Sequence, residues 1–301
     1  MNKIAMKSLL LAAGIACAAS VAQAADTGRG IYVGAFGGLG RTDNQDVQQT
    51  GVAHKRGDYA LAGFSDFDLK VDVKGSVKRN TSTLAGAHVG YEWAVPASKF
   101  KAAIELEGLY LDADQKSNLE NPLTEVVANT DVEAESYSHL LEAVNEHYGA
   151  GEHRFKNSLN MNATLFLANG VATYDTGTQF EPYIGAGVGI ALVNMKDAVS
   201  NQTNPSGPIE LTSDTHEEVN HFNSKTHASD YAFAAQMKVG VRTKLTDRIS
   251  AFAEYRYVHV NATQFTFGST SYVGHSPTDN WNVNNGAMNL HNGVIGVEYA
   301  F

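Results

Sequence analysis

The chain has 301 residues, with 22 basic and 32 acidic side chains and a formal net charge of -10. This acidic balance, without a basic patch, excludes nucleic acid as an expected partner. Cys17 is the single cysteine and lies in the leader described next, so we expect neither a disulfide nor a cysteine-bound metal in the exported chain.

Residues 1–24 are predicted to be a signal peptide. Lys3 and Lys7 give a basic start, "SLLLAAGIACAASVA" is an apolar run, and "AQA" at 22–24 is a small-x-small cleavage site. The apolar run is too short for a transmembrane helix. We therefore expect export by a cleaved signal peptide, followed by one domain over 25–301.

Apolar and polar residues alternate with period 2 beyond the leader, which predicts β-strands with two different faces. In "IYVGAFGGLG" the alternation does not settle which face is apolar. In the next two stretches, "LAGAHVGYEW" and "AAIELEGLY", it does. One face carries Val89, Tyr91, Trp93, Ile104, Leu106 and Tyr110, and the other carries His88, Glu92, Glu105 and Glu107.

The second half of the chain repeats the pattern in five further stretches: "NSLNMNATLFL", "PYIGAGVGIALV", "YAFAAQMKVGVRTKL", "ISAFAEYRYVHVNA" and "GVIGVEYAF". In the first of them, an apolar face of Leu159, Met161, Leu165 and Leu167 lies opposite Asn160, Asn162 and Thr164. In the third, Tyr231, Phe233, Met237, Val239 and Val241 lie opposite Gln236, Lys238 and Arg242.

The connections between these stretches alternate between short and long. Short ones occur at "PASK", "DTGTQFE" and "TD", and long ones lie near 42–81, 113–157, 196–228 and 268–286. This order is typical of an outer-membrane barrel. We predict an all-β fold, an eight-stranded antiparallel transmembrane β-barrel with four long extracellular loops. A soluble barrel is the alternative, but here the charges share a face with many glycines, which favours a crowded polar lumen.

The chain ends on a strand, and Val297, Tyr299 and Phe301 resemble the C-terminal signal that outer-membrane barrels present to the barrel assembly machinery. Aromatic residues at strand ends are expected to form interfacial girdles: Trp93, Tyr110, Tyr183 and Phe301. Tyr183 is also expected to help obstruct the lumen.

Three stretches carry a family resemblance: "FEPYIGAGVGIALVNMK", "FAAQMKVGVRTKLTDRISAFAEYRYVHVNATQF" and "GVIGVEYAF". They resemble the OmpA-like transmembrane barrels, and most of all the surface antigen family, the major surface proteins of obligate intracellular bacteria. The resemblance implies an eight-stranded outer-membrane barrel with roles in envelope integrity, host-surface contact or modest pore activity. It does not choose among these roles.

The candidate functional set is a network of charges on the inward face: Glu92, Glu105, Glu107, Lys238, Arg242, Glu254, Arg256 and Glu298. Charges inside a narrow barrel are costly unless they are paired. We expect a structural plug that holds the barrel closed. The alternative is a gate in which exchange of ion-pair partners opens a path.

His259 lies at the predicted outer rim of the lipid-facing side. Lipid A deacylases place a catalytic histidine there, with a serine two positions later, but Asn261 stands at that position. Without a hydroxyl there is no nucleophile to activate, so no catalytic residue and no enzyme activity are predicted.

The long loops are rich in histidine and acid. Zinc accepts histidine and carboxylate ligands, but "HEEVNH" does not have the HExxH spacing, so no metal or cofactor is predicted. His216, His221 and His227 are weak metal candidates. The segment "LTEVVANTDVEAESYSHLLEAVNEHY" is predicted to form one or two short helices, or else an acidic disordered loop.

The expected function is that of a surface protein of the bacterial outer membrane. Its loops would contact a host surface or a ligand, since variable binding function resides in loops on a rigid scaffold. The other expected partners are outer-membrane lipids and lipopolysaccharide. A narrow OmpA-like pore with a charge-plugged lumen is the alternative.

Overall fold

The computed structural model describes residues 30–55, 67–121, 125–127, 153–204, 207–208, 218–273 and 275–301. The predicted signal peptide at 1–24 lies outside these residues. So does the predicted helical segment at 123–148, except for three residues in a short strand. No helix in the described part of the chain is long and apolar enough to cross a bilayer.

Eight long antiparallel strands form a closed barrel. In order around it they are β1 (Gly30–Thr42), β4 (Thr81–Ala94), β5 (Phe100–Asn121), β7 (His153–Tyr174), β8 (Phe180–Asn204), β10 (Ala228–Lys244), β11 (Ile249–Val260) and β14 (Met288–Ala300). The ring closes because β1 pairs with both β4 and β14, and β5 pairs with both β4 and β7. The predicted eight-stranded antiparallel barrel is confirmed.

Short turns join the strands at one end of the barrel, at 95–99, 175–179 and 245–248. Gly177 adopts a φ of 74°, a conformation that disfavours side chains. Its N–H donates to Asp175 Oδ1 at 2.8 Å. This hydrogen bond, more than the nearby lysines, holds the pKa of the Asp175 carboxyl below its usual value.

The opposite end carries six shorter strands within the long connections: β2 (Gln45–Lys55), β3 (Phe67–Val77), β6 (Glu125–Val127), β9 (Gly207–Pro208), β12 (Thr263–Thr266) and β13 (Asn282–Asn285). The strands β12, β13, β2 and β3 form a sheet that joins the top of β5. The side chain of Gln49 in β2 hydrogen bonds with Asn157 in β7 and Ser200 in β8. This sheet and the upper parts of β5, β7 and β8 therefore enclose a common interior, which we call the dome.

Within the barrel, the outward face is apolar over about one bilayer thickness. On β5 the lipid-facing residues run from Phe100 to Tyr110, and the next outward positions are Asp112, Lys116 and Asn118. An 11-residue span matches the strand length that crosses a bilayer. Since β5 has 22 residues, about half of it projects beyond the membrane.

The apolar face predicted for "NSLNMNATLFL" does not face lipid, as it would if the whole strand followed the pattern of a membrane barrel. Leu159, Met161, Leu165 and Leu167 all point inward and are buried. The upper part of β7 lies in water on the outside, so its polar residues face outward and its apolar residues fill the interior. Only the lower part of the strand has an apolar outward face, as a strand in the bilayer requires, and Phe166 is exposed there.

The apolar interior of the dome centres on Trp281, which is 1% exposed and donates its indole N–H to Thr270 Oγ1 at 3.0 Å. Phe155 and Trp281 have ring centroids 5.8 Å apart. The rings of Phe222 and Phe267 are stacked, with their centroids 4.5 Å apart. The dome thus has a packed core of its own above the lumen.

Candidate functional site: the charged layer of the lumen

All eight predicted network residues point into the barrel and are buried. They come from five strands: Glu92 on β4, Glu105 and Glu107 on β5, Lys238 and Arg242 on β10, Glu254 and Arg256 on β11, and Glu298 on β14. Each lies on the face opposite an exposed apolar residue of the same strand, as period 2 requires. The structure brings them together as ion pairs at the level of the apolar outer band.

Arg256 forms the first centre of the network and is 0% exposed. Its Nη1 donates to Glu107 Oε1 at 2.6 Å, and its Nε donates to Glu254 Oε1 at 2.8 Å. The guanidinium carbon lies 4.3 Å from the centroid of the Phe36 ring. One cation is thus held by two carboxylates and an aromatic face, which is the kind of contact set that a buried charge needs.

Arg242 forms the second centre. Its Nη1 lies 2.9 Å from Glu92 Oε2, and its Nε lies 2.9 Å from Glu298 Oε2. The rings of Tyr32 and Tyr183 lie on the guanidinium, each with its centroid 5.7 Å from the central carbon. Arg242 therefore joins β4, β10 and β14 across the lumen.

Lys238 forms the third centre and contacts two carboxylates of one strand. Its ammonium is in close contact with Glu105 and lies 3.8 Å from Glu107 Oε2. The Tyr32 hydroxyl donates to the other oxygen of Glu105 at 2.7 Å. Since Glu107 also binds Arg256, the Lys238 and Arg256 centres share an acid and form one network.

Sequence reasoning missed several members of this layer. His88 Nε2 lies 3.2 Å from Glu298 Oε1, and Glu181 Oε1 lies 2.6 Å from Lys101 Nζ and 3.0 Å from Lys244 Nζ. The amide of Gln236 bridges Asn169 and Glu107 at 2.7 and 3.0 Å. Strand alternation already put His88 and Glu92 on one face, so the same signal was available for His88.

Tyr183 corrects one of the predicted girdle positions. It is buried, and its hydroxyl donates to Glu254 Oε2 at 2.7 Å. It therefore belongs to the lumen, as its expected obstructing role requires, and not to the lipid interface. Trp93 and Phe301 do face outward. Val297 and Tyr299 lie on the same outward face of β14, and the centroids of the Tyr299 and Phe301 rings lie 5.2 Å apart.

The predicted histidine candidates do not form a metal group among the described residues. His216 lies outside those residues, His227 is exposed, and His221 is buried with Nδ1 3.0 Å from the Ser200 carbonyl oxygen. The three-ligand group that the described residues do form is His88, Glu105 and Glu107, with ligand atoms within 4.8 Å of one another. Lys238 lies against both acids of that group.

A second polar layer closes the lumen above the charged one. Gln115 Nε2 donates to Gln45 Oε1 at 2.9 Å, and Asn285 Nδ2 donates to Gln115 Oε1 at 3.2 Å. Buried apolar residues of β5, including Leu109 and Leu111, lie between the two layers. From the turns upward, the interior therefore runs from charged to apolar to neutral polar, and then to the aromatic core of the dome.

Three comparisons place this architecture among known proteins. A family model described as outer membrane protein beta-barrel domain matches residues 8–301. The outer membrane protein PagN of Salmonella typhimurium (strain LT2) is 31% identical over 146 residues, which are 48% of this chain and 52% of PagN. The chain thus spans about half the length of this curated relative.

Two solved structures are similar at low identity. OprG from Pseudomonas aeruginosa is 14% identical with a TM-score of 0.39, over 90% of this chain and 97% of its own. Neisserial surface protein A is 10% identical with a TM-score of 0.32, over 92% of this chain and 100% of its own.

Proposed function

The chain belongs to the outer membrane protein beta-barrel domain family, and on this premise we propose that it is a non-enzymatic surface protein. Its closed barrel anchors the dome and the long acidic loops on the cell exterior, where they contact a host surface or a ligand and support envelope integrity. The finer likeness to the surface antigen family, and cleavage of the signal peptide at 1–24, belong to this proposal.

The observation that carries the proposal is the continuation of the barrel into the dome. Half of β5, and comparable lengths of β7 and β8, lie beyond the apolar band and pack against the sheet of β12, β13, β2 and β3. A scaffold of this size at the long-loop end holds loops well above the lipid headgroups. Because loops on a rigid scaffold carry variable binding function, recognition is assigned to this end.

The orientation can be tested with single cysteines, because Cys17 is the chain's one cysteine and lies in the predicted signal peptide. Val273 is 81% exposed on the dome side, and Asp247 lies in the exposed turn at the opposite end. We expect a membrane-impermeant maleimide to label Val273→Cys on intact cells, and Asp247→Cys only after permeabilisation. Equal labelling of the two positions on intact cells would contradict the proposed orientation.

Contact with a host surface needs a separate test. We expect replacement of residues 128–150 by a short glycine-serine linker to reduce adhesion of expressing cells to host cells. Labelling of Val273→Cys in the same variant serves as the control for folding and display. Unchanged adhesion in a variant that is still displayed would count against contact through this loop.

A narrow pore is the second candidate, and the Lys238 centre favours it. Because Lys238 lies against Glu105 and within 3.8 Å of Glu107, a small movement exchanges its partner. Planar-bilayer recording distinguishes the two functions. Unit conductances that change in Lys238→Gln would favour the pore, and a silent bilayer with folded protein would favour the plug.

A further inference from the structure

The outer rim of three neighbouring strands carries a cluster that the lumen network does not explain. We call Arg41, Asp43, Tyr255, Tyr257 and His291 the rim cluster. In register, Arg41 on β1 lies opposite His291 on β14, which lies opposite Tyr257 on β11. These positions continue the outward faces that hold Leu39 and Ile295, which are each 71% exposed. The cluster therefore faces the lipid phase at the dome-side end of the apolar band.

Hydrogen bonds fix the imidazole of His291 in this cluster. The Tyr255 hydroxyl lies 2.5 Å from Nδ1, and Asp43 Oδ2 lies 3.2 Å from Nε2. The Tyr257 ring lies 5.2 Å from the His291 ring. On the far side of Asp43, Arg79 Nη2 lies 3.6 Å from Oδ1. The rim thus has an ordered polar surface, and His259 lies beside it, hydrogen bonded to Asn289 at 2.8 Å.

Arg41 adds an available positive charge. Its side chain is exposed and has no ion-pair or hydrogen-bond partner within the part of the chain that the structure describes. Lys78 and Arg79, in the connection that leads into β4, are also exposed, and the acids at this rim are Asp43, which belongs to the cluster, and the exposed Asp46. In a chain with a net charge of -10, this is a local excess of positive charge.

The other strands do not share this charge. The first polar outward residue above the apolar band is Arg41 on β1, His259 on β11 and His291 on β14. On the remaining barrel strands, as far as the structure describes them, it is Thr83 on β4, Asp112 on β5, Thr164 on β7, Asn194 on β8 and Ser229 on β10. The first polar outward residue is thus basic on three neighbouring strands and on none of the other five, although exposed lysines such as Lys116 and Lys196 lie farther up β5 and β8.

An apolar groove of about 800 Å³ is lined by residues of β5, β7, β8, β10, β11 and β14. Its edge at Tyr255, Gly293 and Ile295 adjoins the rim cluster. Gly293 lies between Leu39 and Tyr255 in register. A Cβ at Gly293 would meet nothing closer than the Leu39 carbonyl oxygen at 4.0 Å. The glycine therefore leaves a depression that packing within the barrel does not require.

We propose that the rim cluster and this groove together bind an outer-leaflet glycolipid that carries phosphate. The phosphate lies against the Arg41 guanidinium, and an acyl chain lies over Gly293. Phosphate is matched by a guanidinium with free donors, and a hydrocarbon chain fills a depression in an apolar surface through van der Waals contact. This inference uses the outer-membrane location and goes beyond the proposed contact with a host, because it assigns a lipid to one face of the barrel.

The test measures lipid binding by the full chain refolded in detergent, using native mass spectrometry with bisphosphorylated lipid A and with its dephosphorylated form. Arg41→Gln removes the free charge, and Gly293→Leu fills the depression. Lys196→Gln is the matched control, because Lys196 is an exposed cation on the distant strand β8. Heat-modifiable gel mobility checks that each variant is folded.

We expect Arg41→Gln to weaken binding of the bisphosphorylated lipid by about fivefold, the effect of one cation at an anionic lipid surface. It should leave binding of the dephosphorylated lipid unchanged. Gly293→Leu should weaken binding of both lipids, and Lys196→Gln should weaken neither. An equal loss in Lys196→Gln and Arg41→Gln would overturn the proposal in favour of diffuse electrostatic attraction. Wild-type binding by folded Gly293→Leu would overturn it in favour of unspecific annular lipid.

Discussion

Replacement of Arg256 by methionine tests whether the charged layer holds the barrel together. The substitution introduces an unbranched apolar side chain of similar length but leaves Glu107 and Glu254 without their shared cation. Removal of one partner of a buried ion pair costs about 3–5 kcal/mol, because the remaining charge stays buried. Glu254 loses its ion-pair partner here, Glu107 keeps only the more distant Lys238 at 3.8 Å, and the contact with Phe36 is also lost. We therefore expect a loss near the upper end of that range, about 5 kcal/mol.

The assay is urea unfolding of the refolded protein in phospholipid vesicles, followed by tryptophan fluorescence. The chain has two tryptophans: Trp93 lies on the lipid-facing side of the barrel, and Trp281 lies in the core of the dome. Coincident transitions in the wild type and in Trp281→Phe would show that the barrel and the dome unfold as one unit. Heat-modifiable gel mobility gives an independent measure of the folded fraction.

Two further variants make the result interpretable. Arg248→Met removes an exposed cation whose Nη1 lies 3.2 Å from the Tyr299 hydroxyl, and it should cost less than about 1 kcal/mol. A triple variant that adds Glu107→Gln and Glu254→Gln to Arg256→Met also removes the two carboxylate charges that Arg256 compensated, so it should recover at least half of the loss. The explanation fails if Arg256→Met costs no more than Arg248→Met, or if the triple variant is less stable than Arg256→Met alone.

The remaining predictions concern the dome and the glycine contacts. Hydrogen bonds that the His54 imidazole donates to the Asp68 and Asp279 carboxylates raise its pKa. The stability this adds is full below the unfolded value of about 6.5 and is lost as the pH rises through the raised folded value. Limited proteolysis of the dome should therefore be faster at pH 8.5 than at pH 6, and His54→Gln should remove the difference. Gly240→Ala should prevent folding, because its Cβ would lie 2.6 Å from the Ala253 carbonyl oxygen, whereas Gly293→Ala should fold normally on heat-modifiable gels. Trp281→Ala should cost about 3–5 kcal/mol in dome stability, measured as faster protease cleavage with unchanged mobility of the barrel.

The sequence was sufficient to predict the number of barrel strands. It was also sufficient to predict which face points inward on each strand that carries charged residues. Period 2 separates Lys238 and Arg242 from Val239 and Val241, and the glycines on the charged face indicate a crowded interior. It was not sufficient to pair the charges, because Lys238 and Glu105 lie on strands that are not neighbours and meet only across the closed lumen. Contacts across a barrel depend on the stagger of its strands, which alternation does not encode.

The error on β7 has a different cause. Alternation indicates that a strand has two faces, but the medium outside the strand decides which of them points inward. Leu165 and Phe166 are adjacent, and both are apolar. One fills the interior and the other faces lipid, so this part of the strand has no polar face from which to orient it. Farther up, water replaces lipid on the outside, and Asn160 faces outward for that reason.

This change of medium along the strands explains why the interior is layered. In the bilayer the outer surface must be apolar, so the polar residues of the alternating pattern are turned inward and have to pair with one another, as Arg242, Glu92 and Glu298 do. Above the bilayer the polar residues are solvated outside, and the interior fills with apolar groups such as Trp281. The charged layer and the dome core therefore close the interior at two successive levels. The first level consists of paired charges, and the second consists of packed apolar groups. An exchange of partners at Lys238 alone leaves the dome packed, so conduction requires the second closure to open as well, and this favours a plugged anchor over a pore.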